Sequence, residues 1–236
     1  MNADKPLILC QPDDTKGCSA CCGLFNFRDI SRENLSGFLR RGATRSSSFA
    51  AAGNIADQGD GMEVRDLTSY ICPHQGLIFN KRPGCLLHPQ YRTSTMRNKS
   101  FFGETICDGF LCPAHAIFST EQKKIIIALA DGWYTYTLAI IDPDSTVWLL
   151  EVLNKQYPLA FQREDVLKKI FNEALLIHSR HMAEYSGPLF YYSESEYNEG
   201  KKKFSLSSDS ARTENEKREI IKQIENNIRR SAPSFL

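Results

Sequence analysis

Gly17-Cys18-Ser19-Ala20-Cys21-Cys22-Gly23 is the densest group of cysteines in the chain and indicates what organises its fold. The two-residue spacer between Cys18 and Cys21 lets one tight turn aim two thiolates at a common metal ion. The flanking glycines allow a positive φ and a close approach of the backbone. Neighbouring side chains of an extended segment diverge, so Cys21 and Cys22 either serve two centres or leave one of them as a free thiol.

Eight cysteines occur in the chain, and all of them lie within its first 112 residues. An even count in a secreted protein would suggest disulfides, but residues Met1–Cys10 do not read as a signal peptide. We therefore expect a cytoplasmic protein with reduced thiols, in which such a count indicates metal ligation. The predicted metal-ligating residues are Cys10, Cys18, Cys21, Cys22, Cys72, Cys85, Cys107 and Cys112.

The later cysteines are paired with histidine or proline at short spacings. Cys85–His88 and Cys112–His115 share a Cys-x2-His spacing, and histidine is an ordinary zinc ligand. Cysteine precedes proline at Cys72-Pro73 and again at Cys112-Pro113, as at the end of the bacterial ferredoxin run. The first pattern favours zinc and the second favours an iron–sulfur cluster. With eight cysteines available, we put the iron–sulfur cluster ahead of zinc.

These motifs carry a family resemblance. Residues 17–23, Cys72-Pro73-His74-Gln75-Gly76 and Gly84-Cys85-Leu86-Leu87-His88-Pro89 together resemble the CxxCxxCC family, a zinc- or iron-chelating domain. The resemblance covers residues 10–115. Seven residues rather than two separate Cys10 from Cys18, so the resemblance bears on Cys10 less than on the others. The family includes the flagellin lysine N-methylases, and the resemblance implies a metal centre, an iron–sulfur cluster in the methylases, without implying a reaction.

The segment around Cys72 and Cys85 predicts a β-hairpin. Tyr70–Phe79 and Cys85–His88 would form the strands, and Asn80–Gly84 the turn. Such a hairpin would bring Cys72 and Cys85 toward each other. The other cysteines rank behind the core ligands and the histidines come last. The core ligand set that we expect, or one close to it, is Cys18, Cys21, Cys72 and Cys85.

The chain after Ser119 predicts helices. Ser119 or Thr120 can cap the first of them, although the β-branched and aromatic residues of Tyr134–Ile141 leave a strand there as an alternative. Asp142-Pro143-Asp144 breaks the pattern. Arg163–Met182 carries apolar residues at steps of three and four and is the clearest helix. The predicted fold class is α+β, mainly α, with a cysteine-rich metal-binding N-terminal half and a small β-hairpin packed on C-terminal helices.

The last part of the chain is polar. Residues 193–216 predict a mobile linker, and Thr213–Arg230 predicts an amphipathic helix whose isoleucine stripe docks on the body or on a second copy. We therefore divide the chain into a cysteine-rich metal-binding region at 1–118, a helical region packed on it at 119–192, and a linker with the C-terminal helix at 193–236.

Composition limits the classes of function. Apolar residues make up 42% of the chain and charged residues 24%, as in globular proteins. The formal net charge is only +1, whereas nucleic-acid binders are usually basic, so the sequence disfavours nucleic-acid binding. The apolar runs fall well short of a membrane span, so we expect no membrane insertion. An unknown protein partner remains open.

No organic catalytic set is evident. The chain has no Gly-x-Ser-x-Gly, no Gly-x4-Gly-Lys-Ser/Thr and no Gly-x-Gly-x2-Gly motif. His178 and His181 could complete a metal site, although two histidines at this spacing are more often neighbours at a solvated helix end. We predict a metal-binding protein that holds an iron–sulfur cluster or zinc through its cysteines. The alternative is a metal-dependent redox or group-transfer enzyme, similar to a methyltransferase.

Overall fold

The structure, a computed structural model, describes residues 7–46, 61–65, 70–87, 103, 107, 109–158 and 163–231. The histidine of the predicted Cys85–His88 spacing lies outside these residues. Within the described part of the chain, no helix is both long enough and apolar enough to span a bilayer.

The described chain is mainly helical and contains a small antiparallel hairpin, so this part of the predicted fold class is confirmed. The α-helices are α1 (Arg32–Arg40), α2 (Ala114–Ile117), α3 (Thr120–Leu129), α4 (Trp133–Ile141), α5 (Pro143–Gln156), α6 (Glu164–Ala183), α7 (Glu194–Gly200) and α8 (Ala211–Ser231). The strands are β1 (Gln75–Ile78) and β2 (Arg82–Cys85), and short 3-10 turns occur at Leu24–Asn26 and Lys201–Lys203.

The hairpin is shorter than the sequence predicts. Its tight turn contains Phe79 and Asn80, which both have positive φ angles, so the chain reverses before Arg82. Gln75 is the partner of Cys85 in the ladder. Cys72 precedes β1, so the expectation that the two strands bring Cys72 and Cys85 together across the ladder is wrong.

Helix α4 lies at the centre of the helical half. All nine of its residues are buried, and it packs against α3, α5 and α6. A helix buried all round has no polar face and therefore no clear helical period, which explains why a strand remained an alternative at Tyr134–Ile141. That alternative is wrong. The preceding helix, α3, has Ser119 as its N-cap, one of the two predicted caps, and Ser119 forms a capping box with Gln122.

A buried polar group joins three helices at the end of α4. Asp142 accepts a hydrogen bond from the backbone N–H of Ser145 at 3.1 Å and so caps α5. Its Oδ2 atom also lies 3.1 Å from Nε2 of His178 on α6. The Nδ1 atom of His178 lies 2.6 Å from Oε1 of Glu216 on α8. His178 is thus fully buried between two carboxylates rather than solvated at a helix end.

The tail packs onto the body instead of forming a linker. Residues 193–216 include α7, where the Tyr197 hydroxyl donates to Oδ1 of Asp142 at 2.9 Å, and Phe204 and Leu206 are buried. The linker prediction is therefore wrong for this segment. Helix α8 packs on α6 and buries Ile220 and Ile224, so the isoleucine stripe docks on the same chain.

A single cluster of buried apolar side chains extends through the described chain. It begins at Leu9, includes α4 and ends at Ile224. The cluster therefore crosses the boundaries at 118/119 and 192/193 that the sequence suggested. Three cysteines, Cys18, Cys21 and Cys112, pack directly against this cluster.

Candidate functional site

The N-terminal loop is folded so that its first two cysteines meet. The backbone N–H of Cys18 donates to the carbonyl of Cys10 at 2.9 Å, which closes the seven-residue gap between them. Inside the gap, the Asp13 carboxylate accepts hydrogen bonds from the backbone N–H groups of Thr15 at 2.7 Å and Lys16 at 2.8 Å. Although partial burial of Asp13 opposes ionisation, these bonds and the Thr15 and Lys16 side chains lower its pKa to about 2.

Helix α4 is hydrogen-bonded to this loop. The Tyr136 hydroxyl donates to the carbonyl of Leu9 at 2.7 Å. The Thr137 hydroxyl donates to the carbonyl of Trp133 on its own helix at 2.7 Å and lies 3.3 Å from the carbonyl of Gly17. The Tyr136 hydroxyl is buried with its helix, so the Leu9 end of the loop is bonded to the centre of the bundle. This end of the loop therefore cannot shift without breaking a buried hydrogen bond.

The turn that follows is the predicted cysteine turn. The backbone N–H of Ala20 donates to Sγ of Cys18 at 3.4 Å, and that of Gly23 donates to the carbonyl of Ala20 at 2.9 Å. Gly23 has a φ of 80°, and a Cβ there would collide with the carbonyl oxygen of Tyr70. As expected, this position requires glycine, because its backbone is left-handed and lies directly against the Tyr70 carbonyl.

A pocket opens above this turn and is lined by four cysteines. The enclosed part of the pocket has a volume of about 20 Å³, and the figure rises to about 300 Å³ when the open space at its mouth is included. Cys112 arrives just ahead of α2, and His115 follows on that helix with its Nε2 atom 4.0 Å from Sγ of Cys10. The lining consists of Cys10, Cys18, Cys21, Cys112 and His115, with apolar walls from Leu9, Ala20, Phe110, Ile140 and Phe190.

The thiols of the pocket are close enough to affect one another's ionisation. Burial raises the pKa of Cys18 well above its usual value, and charge on Cys112, Cys21 and Cys10 raises it further. Burial also raises the pKa of Cys112 to about 12, with added repulsion from Cys10 and Cys21. Without a cation, Cys18 and Cys112 therefore remain protonated, because burial and the charge of neighbouring thiolates both disfavour their ionised forms.

Two further cysteines adjoin the pocket through Cys21. The Cys22 thiol is hydrogen-bonded to Cys21 and to Cys72; these bonds lower the pKa of Cys21 and of Cys72 and raise that of Cys22. The backbone N–H of Cys72 donates to the carbonyl of Cys22 at 2.8 Å. The Gln75 side chain donates to the same carbonyl at 3.0 Å. Cys22 and Cys72 thus form a pair beside the pocket.

The remaining predicted ligands lie elsewhere. Cys85 is at the end of β2 opposite Gln75, and Cys107 is exposed; neither lines the pocket. His74 is buried, with its Nδ1 atom 2.8 Å from the Ser46 hydroxyl. The pocket therefore contains Cys10 and Cys112, which the sequence ranked low, whereas Cys72 and Cys85 of the expected core set do not line it.

Several residues at the site were not anticipated from the sequence. Phe110, Phe190 and Tyr192 form an aromatic group beside the pocket, with ring centroids 5.2 to 6.3 Å apart. The Tyr192 hydroxyl donates to the carbonyl of Cys21 at 2.9 Å. Burial and the charge of nearby cysteines raise the pKa of Tyr192. The sequence contained one signal for the contact between α4 and the N-terminal loop. Tyr136 and Thr137 are polar residues in an apolar helix, and buried hydroxyls require hydrogen-bond partners.

Within the described residues, no group of three or more His, Cys, Asp or Glu side chains is arranged to hold one metal ion. No protein-family model, curated protein or solved structure matches the chain. The motif resemblance to the CxxCxxCC family and its metal centre therefore stay predictions.

Proposed function

We propose that the pocket binds an iron–sulfur cluster through Cys10, Cys18, Cys21 and Cys112. The single observation that carries this proposal is the pocket lining, in which four cysteines from three separate segments face one cavity. Four cysteine thiolates are the usual ligands of iron–sulfur clusters. The four thiols therefore fit the group as a donor set.

The number of thiols in the pocket is the ground on which we place a cluster ahead of a single ion. Zinc binds sulfur at about 2.3 Å, so four zinc ligands must converge on one point. Within the described residues, no three side chains converge in that way.

The surroundings would serve a bound cluster in two ways. Leu9, Ile140 and Phe190 keep water from its sides, and the backbone N–H of Ala20 already donates to Sγ of Cys18. Hydrogen bonds to sulfur and limited solvent access are the means by which proteins tune cluster potentials. When bound, the cluster would supply a site for electron exchange.

Zinc is the second candidate for the same pocket. His115 favours it, because its Nε2 atom lies 4.0 Å from Sγ of Cys10 and neutral imidazole is a common zinc ligand. Partial burial and the charge of Lys123 lower the pKa of His115, which favours the neutral form. A zinc site would require small movements of the cysteines toward this pair.

We propose electron transfer or metal binding rather than group transfer as the role of the site. The alternative enzyme, redox or methyltransferase-like, would need polar groups beside the cluster to bind and orient a substrate. Apart from the thiols, His115 is the one ionisable side chain among the residues that line the pocket. The open mouth, with Phe110 and Phe190 at its wall, suits contact with an unknown protein partner. None of the eight cysteines forms a disulfide, which suits the reducing cytoplasm that we propose as its compartment.

The test is anaerobic purification of the full chain, followed by its absorbance spectrum and by iron, sulfide and zinc analysis of the same sample. We expect iron with matching acid-labile sulfide and absorption near about 400 nm. Cys18→Ser and Cys112→Ser should each retain less than about a tenth of the wild-type iron. Cys107→Ser, an exposed cysteine outside the pocket, is the matched control and should retain it all.

Three outcomes would overturn the proposal. Stoichiometric zinc without iron would replace the cluster by the second candidate. A protein with neither metal would remove metal binding altogether. If Cys107→Ser and Cys112→Ser both contain less iron than the wild type, and contain equal amounts, the iron ligands are not the cysteines of the pocket.

A further inference from the structure

The segment between α6 and α7 is fixed at both ends. Residues 184–193 lie between the last residue of α6 and the first residue of α7. The buried guanidinium of Arg65 donates to the carbonyl of Met182 at 3.2 Å, just before the segment begins. At its other end, the Ser193 hydroxyl caps α7. The helices that the segment joins therefore set its path beside the pocket.

Tyr192 is the residue of this segment that contacts the cysteine turn. Its hydroxyl donates to the carbonyl of Cys21 at 2.9 Å. Tyr192 is 37% exposed, so water is at hand as another partner for a hydroxyl in this position. Burial alone therefore does not require the bond, and the backbone of Cys21 is its specific acceptor.

The Tyr192 ring contacts the segment that carries Cys112. Its centroid lies 5.6 Å from that of Phe110, which is two residues before Cys112. It lies 5.2 Å from that of Phe190. Phe110 and Phe190 both line the pocket, and aromatic rings at these separations attract one another beyond the burial of their surface. The ring therefore holds Phe110, and with it the Cys112 segment, against the pocket wall.

One side chain thus joins two of the segments that line the pocket. The backbone bond from Cys18 to Cys10 connects the N-terminal loop to the cysteine turn. The turn and the Cys112 segment are distant in sequence, and Tyr192 contacts both. A tyrosine makes these contacts with only two rotatable side-chain torsions, so little conformational entropy is lost.

We propose that Tyr192 is a positioning residue of the metal site, which holds the Cys21 backbone and the Cys112 segment in the arrangement that lines the pocket. This inference rests on the proposed function, because Cys21 and Cys112 are ligands of the proposed site. The hydroxyl fixes the turn, and the ring fixes the Cys112 segment. Loss of either contact releases one ligand, so the metal is held less tightly although the chain remains folded.

Three substitutions separate these contacts. Tyr192→Phe keeps the ring and removes the hydroxyl, whereas Tyr192→Leu removes both. Tyr191→Phe is the matched control, because it removes a hydroxyl at the neighbouring position. The Tyr191 ring packs against Tyr197 and Phe204 and does not line the pocket.

The experiment measures metal affinity in the full chain, purified anaerobically. Iron content is determined first. Each chain is then stripped with a chelator under reducing conditions and titrated with Cd²⁺, a soft ion that binds thiolates and whose thiolate complexes absorb in the ultraviolet. Competition with a chromophoric chelator gives the affinity, and far-ultraviolet circular dichroism of the stripped chains reports the fold.

We expect Tyr192→Phe to bind Cd²⁺ about fivefold more weakly than the wild type, because one hydrogen bond is lost. Tyr192→Leu should bind it about thirtyfold more weakly, since the ring contacts are lost as well. The absorbance for each bound Cd²⁺ should also fall in Tyr192→Leu, because fewer thiolates ligate the ion. Tyr191→Phe should stay within about twofold of the wild type. The circular dichroism should be the same in all four chains.

Equal Cd²⁺ affinity in the wild type and either Tyr192 variant would overturn the inference. It is also overturned if Tyr191→Phe weakens binding as much as Tyr192→Phe, or if binding weakens only where helical circular dichroism is lost. The iron content of the wild-type chain decides the proposed function separately. A wild-type chain without iron that binds Cd²⁺ still tests Tyr192, and one that does not bind Cd²⁺ overturns the inference.

Discussion

The Nε2 atom of His178 lies 3.1 Å from Oδ2 of Asp142, and both side chains are fully buried. The second ring nitrogen of His178 meets Glu216, so the imidazole ring bridges two carboxylates. Burial alone would disfavour a charged imidazole, but the bonds and charges of Asp142 and Glu216 raise the pKa of His178 from 6.5 to about 9. The ring is therefore protonated at neutral pH and holds α5, α6 and α8 together.

The first prediction concerns stability against pH. Because the pKa of His178 is raised in the folded state, its contribution is fully present below about pH 6.5 and is lost as the pH rises through about 9. The shift corresponds to a contribution on the order of 3 kcal/mol. We expect the free energy of unfolding in urea to fall by an amount of this order between these pH values.

The matched variants separate this pair from the rest of the chain. His178→Gln should flatten the pH dependence in that range and lower stability at pH 6, because two buried carboxylates lose their cation. His181→Gln, on the same helix and partly exposed, should leave the slope intact. A wild-type stability that is constant from pH 6.5 to 9 would show that His178 does not bind its proton as described.

The second prediction concerns the hydroxyl that holds the N-terminal loop. Tyr136→Phe removes the donor to the carbonyl of Leu9, and we expect a loss of about 1 to 3 kcal/mol because that carbonyl becomes unpaired in a buried site. The released loop carries Cys10, so metal retention should fall as well. Chemical denaturation and iron analysis of the same preparation measure the two effects.

Tyr134→Phe provides the control for this change. The Tyr134 hydroxyl donates to the carbonyl of Ile30 at 2.9 Å, in a comparable buried bond away from the pocket. This variant should lose similar stability with unchanged metal content. If both variants lose metal equally, the link between Tyr136 and the pocket is general destabilisation only.

The third prediction concerns Gly23. Gly23→Ala should destabilise the protein by more than about 2 kcal/mol, because the left-handed backbone conformation costs about 1 to 2 kcal/mol and the new Cβ also meets the Tyr70 carbonyl. Gly61→Ala, at φ 74° with no described atom within 4 Å of the new Cβ, should incur the conformational cost alone. Thermal unfolding of the two variants distinguishes them, and equal melting temperatures would contradict the described turn.

The fourth prediction concerns the buried guanidinium of Arg45, which bonds the backbone just after Cys72. Arg45 donates to the carbonyls of Pro73 at 3.1 Å, Phe38 at 2.9 Å and Gln75 at 2.7 Å, and it stacks on the Phe38 ring. Lysine cannot reproduce this planar fork. Arg45→Lys should therefore lower the free energy of unfolding by about 2 to 4 kcal/mol.

The exposed Arg40 on α1 supplies the matched control for that substitution. Arg40→Lys should change stability by less than about 0.5 kcal/mol. Urea denaturation at neutral pH compares the two variants. A loss below about 1 kcal/mol in Arg45→Lys would mean that the three carbonyls find other donors.

The sequence predicted those elements whose pattern is local. Helix α6 shows a three-to-four period of apolar residues, α3 begins with a capping box at Ser119, and the cysteine turn contains the glycine that it requires. In contrast, α4 is buried on every side, so its period is absent. The serine-rich tail was mistaken for a linker because its few large side chains, such as Tyr197, are widely spaced although they are buried.

The composition of the pocket depended on contacts that spacing does not encode. Cys10 reaches Cys18 through a backbone hydrogen bond across a long loop, and Cys112 arrives from a segment about a hundred residues away in the sequence. In the folded chain, the same loop is also bonded to α4 through Tyr136. The sequence identified the cysteine class of the site, whereas the tertiary packing determined which cysteines meet.

The anchoring of the loop to α4 couples the pocket to the global folding equilibrium. Because Tyr136 belongs to a helix whose nine residues are all buried, its bond to the loop that lines the pocket requires the folded helical half. Any ligand that requires this geometry binds the native ensemble alone, and by mass action it displaces the unfolding equilibrium of the entire chain. The unfolding temperature should therefore rise with the concentration of a ligand that occupies the pocket, and this dependence reports the ligand's affinity.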